Sequence, residues 1–567
     1  MTASRPDASA PDDPDDRAAP ARALDVLIVG AGLGGLYALY KLRGMGLAAV
    51  VLEAAPSVGG TWWANRYPGA RVDIQSLEYS YSFSAELQQD WHWTERYAAQ
   101  PELLRYANHV ADRFDLRRDL RLNTRVAAAH FDEAARCWRV ASADGERWTA
   151  RFVVLATGPL SSPNRPALGG PEGGPEGGPE GVPEGGIERF AGQVLHTAAW
   201  PDPPPELRGR DVAVIGTGSS GVQLIPILAE QVRSLTVFQR TAAYVVPAHN
   251  GPLDPAWEAR IKADYAGFRA RNRKAYSGFG CELTPRPSSA LDASAEERTA
   301  AFEERWQIGG LGLLSTFRDL LTSPAANELA AEFVRGKIRQ IVRDPDTADR
   351  LCPRHPIGCK RLCVGTGYYE AFNRPSVALV DVHAHPIAGI TPAGLVAGGR
   401  EHRFDTLVLA TGFDAFTGPV TRIDLRGRGG LRIQDKWRGG PVNYLGLAVA
   451  GFPNLFHVAG PGSPSAFTNF FVMVEHHVDW IADCIAWLDA RGHATIEASA
   501  DAEARWVAFV NATAENTIYL GCTSWYLGAN IPGKPRVFMP LAGGFPAYAR
   551  RCADVASSGY DGFVVET

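Results

Sequence analysis

The chain has 567 residues, of which 46% are hydrophobic, and a formal net charge of -5 at pH 7. This length supports two or three domains with sizeable cores, and the charge gives no reason to expect nucleic acid or an anionic membrane as a partner. No run approaches the roughly 18 to 20 apolar residues that span a bilayer. The start of the chain lacks the apolar core of a signal peptide. We therefore expect a cytoplasmic protein.

The chain begins with a tail and a glycine-rich turn. Residues 1 to about 23 are rich in Pro, Asp and Ala, which predicts a disordered tail. The apolar run 25–29 then leads into a GxGxxG turn, whose glycines are Gly30, Gly32 and Gly35. Such a turn brings backbone N–H groups and a helix N-terminus close to a pyrophosphate. The next strand, 48–52, ends in Glu53, whose carboxylate suits a ribose diol, so we assign 24–158 to FAD binding.

A linker is predicted over 159–189. Within it, residues 169–186 repeat Gly-Gly-Pro-Glu with a period of four, which excludes collagen because collagen has a period of three. Glycine and proline together prevent regular helix or sheet. We interpret the repeat as a solvated surface loop, with recruitment of a basic partner as the alternative.

A second GxGxxG turn follows the apolar run 211–215, and its residues are Gly216, Gly218, Ser219 and Gly221. The strand at 235–238 ends in Gln239-Arg240-Thr241 and has no acid there. Arg240 suits the 2′-phosphate of NADPH, although a solvated arginine at a strand end is the alternative. We assign 190–245 and 351–400 to the NADPH-binding domain.

The remaining segments complete an α/β fold with two Rossmann-like dinucleotide-binding domains. Residues 246–350 predict an inserted helical subdomain, because 295–306 has apolar positions on one helical face. The runs 151–158 and 406–412 are buried strands that both end in Ala-Thr-Gly. We expect the FAD domain to resume at 401–567, with a helix over 472–488.

Eight cysteines are scattered along the chain, a pattern that favours reduced thiols over a disulfide framework. No CxxC pair is present, which argues against a disulfide reductase. Cys352, His355, Cys359 and Cys363 are close in sequence, but their spacing fits no common zinc pattern. We expect no metal.

Between the two glycine turns lies a third motif, formed by Phe190, Gly192, His196 and Trp200-Pro201. It resembles the fingerprint of type I Baeyer–Villiger monooxygenases, whereas the related N- and S-oxidising flavin monooxygenases usually carry another aromatic residue at the Trp200 position. The resemblance covers about 24–567 and is strongest with the phenylacetone and steroid monooxygenases. It also rests on four further stretches, 59–73, 358–374, 460–465 and 524–534.

This resemblance implies that FAD, NADPH and O2 convert a ketone to an ester or lactone through a C4a-peroxyflavin. Such chemistry calls for a fixed cation in a water-poor cleft. The resemblance places that cation at Arg361, with Asp73 beside the flavin as its counter-charge. It also places Lys360 with Arg240 and Thr241 at the 2′-phosphate. The alternatives are a solvated basic pair at 360–361 and a turn acid at Asp73.

Other family positions carry over to this sequence. The resemblance places Thr61, Trp62 and Tyr79 around the flavin, Val126 at the adenine and Trp525 over NADPH, with core packing as the alternative for each. His196 and Trp200 are expected to anchor the linker, and proton transfer by His196 is the alternative. The predicted ketone pocket comprises Ser465, Ala466, Phe467 and Phe470. The last two positions are usually aliphatic in the subgroup, and Pro159 replaces a glutamine found in some relatives.

Three other functions share these features. An N- or S-oxidising flavin monooxygenase would bind the same nucleotides, and Trp200-Pro201 with Arg361 argue against it. An NADPH oxidase would form peroxide and no oxygenated product. A flavin-binding redox sensor would show no ketone-dependent turnover. The sequence leaves the ketone and the oligomeric state open.

Overall fold

The computed structural model describes residues 22–166, 168, 186–283 and 285–567. Most of the predicted tail and, apart from residue 186, the Gly-Gly-Pro-Glu repeat lie outside these residues. The first strand begins at Arg22, inside the range of 1 to about 23 predicted as a tail.

The strands of the described residues fall into two main sheets and three small ones. In chain order they are β1 (Arg22–Val29), β2 (Ala49–Leu52), β3 (Leu120–Arg121), β4 (Val126–Asp132), β5 (Cys137–Ser142), β6 (Arg147–Leu155), β7 (Gln193–His196), β8 (Asp211–Ile215), β9 (Ser234–Gln239), β10 (Val245–Pro247), β11 (Cys363–Gly365), β12 (Val377–Asp381), β13 (Ile387–Thr391), β14 (Gly394–Ala397), β15 (Arg400–Arg403), β16 (Thr406–Leu409), β17 (Asp424–Arg426), β18 (Leu455–His457), β19 (Thr495–Ala498) and β20 (Phe563–Glu566).

The α-helices of the described residues flank these sheets or form the insert. In chain order they are α1 (Leu33–Gly44), α2 (Thr61–Ala64), α3 (Ala85–Asp90), α4 (Gln100–Arg113), α5 (Ser219–Gln231), α6 (Pro255–Ala263), α7 (Tyr265–Lys274), α8 (Ala295–Ile308), α9 (Pro324–Ile341), α10 (Pro345–Leu351), α11 (Tyr368–Ala371), α12 (Gly418–Thr421), α13 (Ile433–Lys436), α14 (Phe470–Arg491), α15 (Ala500–Glu515) and α16 (Phe545–Ser557).

The first sheet is built around β1, which runs into the first glycine turn. Its order is β17-β4-β5-β6-β1-β2-β3, and β18 also pairs with β6. The strand β1 pairs in parallel with β2 on one side and β6 on the other. Val26, Leu27 and Ile28 are fully buried, as expected for a parallel strand that is covered on both faces. The helix α1 leaves the turn and packs against α14.

The second sheet is entirely parallel and has the order β12-β9-β8-β16-β7. Its central strand β8 runs into the second glycine turn. The strand β16 lies between β8 and β7, so the predicted return to the FAD domain at residue 401 is wrong for 406–409. An apolar run before Ala-Thr-Gly looks the same in either sheet, because hydrophobic patterning identifies a buried strand without identifying its neighbours.

The helices α6 to α10 form the insert between β10 and β11. These two strands pair in parallel, with Val245 opposite Cys363, so the chain leaves and re-enters at one place. Helix α8 starts with a capping box, in which Ser294 and Glu297 each accept from the other's backbone N–H. The helices predicted over 295–306 and 472–488 lie within α8 and α14. Within the described ranges, no helix is long and apolar enough to cross a bilayer.

Candidate active site

A cavity of about 2630 Å³ is lined by residues that follow strands of both main sheets. Residues after β1, β2 and β6 contribute to one part of the wall, and residues after β8, β9 and β16 contribute to another. A typical small-molecule site has a volume of about 300–1,000 Å³. The cavity is therefore large enough for more than one ligand of nucleotide size.

The first glycine turn contains two glycines where a Cβ would clash with backbone and one, Gly32, where a Cβ would not. Gly30 has φ +104°, and a Cβ there would lie 2.7 Å from the carbonyl oxygen of Ala156. A Cβ on Gly35 would lie 1.7 Å from the carbonyl oxygen of Gly30. At Gly32 the nearest atom to a Cβ is 3.6 Å away, and the residue lines the cavity. A ligand can therefore approach the backbone closely at Gly32.

The second turn has the same construction. A Cβ on Gly216 would lie 2.4 Å from the carbonyl oxygen of Ala410, and one on Gly221 would lie 2.3 Å from that of Gly216. A Cβ on Gly218 would meet no atom within 4 Å. Gly218 and Ser219 line the cavity at the N-terminus of α5, where backbone N–H groups favour an anion.

Glu53 stands on the cavity wall at the end of β2. Its carboxylate accepts the N–H of Ala31 at 2.6 Å and that of Ala55 at 2.8 Å. Burial raises the pKa of Glu53, and these two donors oppose the shift. The acid is thus held in place beside the first turn with hydrogen-bond acceptors close to the cavity.

Two cations line the cavity near the second turn. Lys360 and Arg240 have no carboxylate within 4 Å in the part of the chain that the structure describes. Burial, with a smaller contribution from the charge of Arg240, lowers the pKa of Lys360 to about 8. Thr241 lies next to Arg240 on the same wall. Two uncompensated positive charges near each other favour a bound anion.

Arg361 and Asp73 form a bidentate ion pair on the cavity wall. The Nε–Oδ2 distance is 2.7 Å and the Nη2–Oδ1 distance is 2.8 Å, while Nη1 donates to the carbonyl oxygen of Ala466 at 3.0 Å. Burial alone would lower the pKa of Arg361, but the charge and hydrogen bonds of Asp73 outweigh it and raise the pKa. The guanidinium is therefore a permanent charge at this position.

The four fingerprint residues do not line the cavity, but lie on and around the edge strand β7. A Cβ on Gly192 would be 2.4 Å from the carbonyl oxygen of Asp405, and Phe190 packs on Phe404 with ring centroids 5.1 Å apart. Trp200 is 5% exposed and packs in the core of the second domain. These residues therefore pack away from the cavity wall, and their role as an anchor for the linker stays a prediction.

His196 ties β7 to the segment that follows β6. Its Nδ1 accepts the N–H of Ala198 at 3.0 Å, so the neutral ring carries its proton on Nε2, which donates to the carbonyl oxygen of Asn164 at 3.1 Å. Burial lowers the pKa of His196, so the neutral ring is favoured. Both nitrogens are used in structural hydrogen bonds.

We expect His196→Ala to lower stability by about 1–3 kcal/mol for each backbone group that loses its partner. The thermal midpoint should fall. The kcat should fall as well, because the linker loses the hydrogen bonds of His196. Thermal unfolding and steady-state kinetics across pH 6–9 measure both. A kcat profile that loses an ionisation near neutral pH in the variant would instead assign proton transfer to His196.

The predicted flavin and NADPH contacts Thr61, Trp62, Tyr79, Val126 and Trp525 all line the cavity. Trp525 stacks on Phe416 at 5.6 Å, a residue that no sequence motif indicated. Several buried polar atoms on the cavity wall have no hydrogen-bond partner within the described residues. They are Trp62 Nε1, Ser162 Oγ, Ser465 Oγ, Thr468 Oγ1, Ser524 Oγ and Asn530 Oδ1.

The predicted ketone pocket is only partly assembled. Ser465, Ala466 and Phe470 line the cavity, and so does Thr468, which was not among the predicted pocket residues. Phe467 does not line it, so that prediction is wrong. The Phe467 ring stacks on Tyr519 at 4.5 Å and meets Tyr526 edge-on at 4.9 Å. This aromatic cluster lies behind the loop, and no local pattern in the sequence reveals it.

The expectation that all cysteines are reduced thiols is also wrong. Cys359 and Cys522 form a disulfide, with their Cα atoms 6.2 Å apart. The pair is separated by 163 residues, so neither spacing nor periodicity indicates it. Of the four residues that are close in sequence, His355 lies beside Cys359, with Nδ1 3.4 Å from the sulfur, whereas Cys363 contacts Ser219 and Cys352 contacts Arg335.

Comparison with known proteins identifies the family. Residues 28–86 match the family model of an NAD(P)-binding Rossmann-like domain. A Baeyer-Villiger monooxygenase of Pseudooceanicola batsensis is 42% identical over 95% of this chain and 96% of that protein. The phenazine N-monooxygenase PhzNO1 of Lysobacter antibioticus is 39% identical, over 96% and 97%.

A solved structure described as oxidized steroid monooxygenase bound to NADP is 48% identical, with a TM-score of 0.89 over 96% of this chain and 99% of that one. Together with the two glycine turns and the Arg361–Asp73 pair, these similarities over nearly the full length determine the assignment. The chain belongs to the Baeyer–Villiger monooxygenases, and it is an FAD-dependent enzyme that uses NADPH.

Proposed function

We propose that this enzyme oxidises a bulky, apolar ketone to an ester or lactone beside Arg361. The observation that carries the proposal is the Arg361–Asp73 ion pair, because it lies on the wall of the cavity to which Gly32 and Gly218 are both exposed. The ion pair joins residues that are 288 positions apart in the chain. A permanent cation and two dinucleotide turns thus share one cavity.

The first half of the cavity fits FAD. Gly32 leaves room for a phosphate to approach the backbone, and Glu53 offers carboxylate oxygens for a ribose diol. The unpartnered Trp62 Nε1 adds a buried donor, and Tyr79 and Val126 add apolar wall. When bound and reduced by NADPH, FAD supplies with O2 the oxidant for the reaction.

The second half fits NADPH. Gly218 and Ser219 offer the N-terminus of α5 to the pyrophosphate. Arg240 and Thr241 follow β9, and Lys360 is close enough to Arg240 for that charge to lower its pKa. The end of this strand is where the 2′-phosphate distinguishes NADPH from NADH. The absence of any carboxylate within 4 Å of either cation, in the described residues, supports this role.

We assign to Arg361 the stabilisation of negative charge on oxygen. A guanidinium has five N–H donors. Two of them bind Asp73 and one binds the carbonyl oxygen of Ala466, which leaves two for oxygen atoms of the reacting molecules. The ketone oxygen gains negative charge when its carbonyl carbon is attacked, and a fixed cation in a cleft with little water stabilises that charge. Asp73 holds the guanidinium in position.

The cavity that contains Arg361 also offers apolar wall to a substrate. Phe470 and the stacked pair of Trp525 and Phe416 line the cavity, while the hydroxyl groups of Ser465 and Thr468 add two unpartnered polar atoms. Of the two aromatic residues of the predicted ketone pocket, Phe470 lines the cavity and Phe467 does not. We therefore propose an aryl, cyclic or steroid-like ketone, oriented by one or two hydrogen bonds.

The affinity for NADPH should depend on the charge of Lys360. The pKa of Lys360 is lowered to about 8, so its positive charge is present at pH 7 and is lost as the pH rises through about 8. We expect NADP⁺ affinity to fall through this range, and Lys360→Ala to weaken binding at pH 7 by roughly tenfold to 100-fold. Calorimetric titration with NADP⁺ from pH 6 to 9.5 measures both effects.

Two controls make that titration specific. Lys360→Arg keeps a fixed charge and should flatten the fall in affinity above pH 8. NAD⁺, which lacks the 2′-phosphate, should bind with an affinity that Lys360→Ala leaves unchanged. Equal losses of NADP⁺ and NAD⁺ affinity in Lys360→Ala would remove Lys360 from the 2′-phosphate site.

The function itself is tested with a panel of ketones graded in size. Purified FAD-loaded enzyme is given NADPH and O2, and products are identified by mass spectrometry while NADPH consumption and hydrogen peroxide are measured. The panel includes an aromatic nitrogen heterocycle, since one relative is named as an N-monooxygenase. We expect esters or lactones from bulky ketones. An N-oxide as the main product, or peroxide alone with every ketone, would overturn the proposal.

A further inference from the structure

We propose that Cys359 and Cys522 form a reversible thiol–disulfide site that controls how tightly the enzyme binds NADPH. The reductant is a dithiol, and the oxidised state is the tight-binding one. The inference rests on the proposed function, namely on Lys360 at the 2′-phosphate, and on the expected position of Trp525 over NADPH. The new element is that a covalent bond between two residues that do not line the cavity regulates ligand binding inside it.

The disulfide joins the two segments that carry these residues. Cys359 immediately precedes Lys360 and Arg361, and Cys522 lies three residues before Trp525. Lys360, Arg361 and Trp525 all line the cavity. The disulfide therefore fixes the distance between the segment that carries Lys360 and Arg361 and the segment that carries Trp525.

Non-covalent contacts hold the second segment on either side of Cys522. The N–H of Ile518 donates to the carbonyl oxygen of Leu321 at 3.0 Å. Lys534 pairs with Asp414 at 2.6 Å. Cleavage of the disulfide leaves these contacts in place, so the segment remains attached at both ends. Cleavage removes the covalent link between Cys359 and the stretch that includes Trp525. That stretch is then held only by non-covalent contacts such as the stacking of Trp525 on Phe416 and the hydrogen bond from Asn530 to the carbonyl oxygen of Phe413.

The two cysteines differ in exposure. Cys359 is fully buried, whereas Cys522 is partly exposed between the exposed residues Gly521 and Thr523. We therefore place the attack of a thiolate from solvent at Cys522, with Cys359 as the leaving sulfur. His355 Nδ1 lies 3.4 Å from the Cys359 sulfur, so this ring is in place to exchange a proton with it.

The exchange balances with a dithiol alone. One thiolate of the reductant attacks the Cys522 sulfur, the bond to Cys359 breaks, and the electron pair stays on Cys359, which takes up a proton. The second thiol of the reductant then attacks the mixed disulfide and releases Cys522 as a thiol. The disulfide gains two electrons and two protons, and the dithiol is oxidised to a disulfide. An oxidised dithiol drives the reverse reaction.

The test uses FAD-loaded enzyme poised with oxidised or reduced dithiothreitol. Denaturing alkylation and mass spectrometry count the thiols, and calorimetry measures NADP⁺ binding. The chain has eight cysteines, of which six are free in the described structure, so we expect six and eight alkylated cysteines in the two states. Reduction should weaken NADP⁺ binding by about fivefold or more, as is typical of coupled sites.

Two variants separate the disulfide from other effects of the reductant. Cys522→Ser should bind NADP⁺ as weakly as the reduced enzyme does, and its NADP⁺ affinity should not change with dithiothreitol. Cys137→Ser, which removes a free and partly exposed cysteine on β5, should keep the full response. Hydrogen exchange of 518–534 should rise on reduction and in Cys522→Ser, but not in Cys137→Ser.

Two outcomes would overturn the inference. One is eight alkylated cysteines after full oxidation, because the bond would then not form. The other is equal NADP⁺ affinity at six and at eight alkylated cysteines. Both readouts are independent of ketone turnover, so failure of the enzyme to oxidise any ketone would count against the proposed function alone.

Discussion

Replacing Arg361 by alanine should lower the rate of ester or lactone formation by about 10²–10³-fold, the effect of removing a preorganised donor to a developing oxyanion. The loss should exceed that of an ordinary surface ion pair, because Arg361 supplies a permanent charge next to the reacting oxygen and leaves Asp73 without a partner when removed. FAD content should stay near that of the parent. Product formation at saturating ketone and NADPH measures the effect.

Arg71 provides a matched control for this substitution. It pairs with Glu95 at 2.7 Å, its side chain is 27% exposed like that of Arg361, and it also lines the cavity. Arg71→Ala should therefore change the rate by a few fold at most. Arg361→Lys should recover little activity, since an ammonium cannot reproduce the planar, bidentate pairing with Asp73. Equal rate losses in Arg71→Ala and Arg361→Ala would assign the effect to general disturbance of the wall.

Replacing Gly35 by alanine should weaken FAD binding by about 10- to 100-fold, because overpacking costs about 1–3 kcal/mol. The added Cβ would lie 1.7 Å from the carbonyl oxygen of Gly30, which is backbone and cannot rotate away. The turn and the N-terminus of α1 must therefore shift. The ratio of FAD to protein after purification and the thermal midpoint measure the loss.

Gly44 is the control on the same helix. A Cβ there would meet no atom within 4 Å. Alanine is favoured over glycine in a helix by about 0.5–1 kcal/mol, so Gly44→Ala should keep FAD and raise stability slightly. Full FAD content in Gly35→Ala would contradict the account of the first turn.

Much of the fold was predictable because buried parallel strands leave a strong local pattern. The apolar runs 25–29 and 211–215 followed by GxGxxG identified β1 and β8 and the two nucleotide-binding domains. The helix α8 was predicted because residues 295–306 have apolar positions on one helical face. The predicted return to the FAD domain at residue 401 was wrong for β16. The sequence identified β16 as a buried strand, but its partners β7 and β8 are set by long-range pairing that leaves no local pattern.

The site likewise contains residues that could be predicted from the sequence and contacts that could not. Glu53 was selected from the sequence because it ends the strand that follows a glycine turn, whereas Lys360, Arg361 and the pairing of Arg361 with Asp73 came from the family resemblance. Contacts between distant segments left no local signal. The disulfide between Cys359 and Cys522, the stacking of Phe467 on Tyr519 and the position of Phe416 each depend on how two loops pack together.

We propose that the enzyme inserts one oxygen atom from O2 into a ketone while it oxidises NADPH. Turnover under ¹⁸O2 with a ketone from the panel tests this, with mass spectrometry of the product and a count of the NADPH consumed. We expect an ester or lactone that carries one ¹⁸O atom for each NADPH oxidised. NADPH oxidation that ends in labelled hydrogen peroxide, with the ketone recovered unchanged throughout the panel, would contradict it.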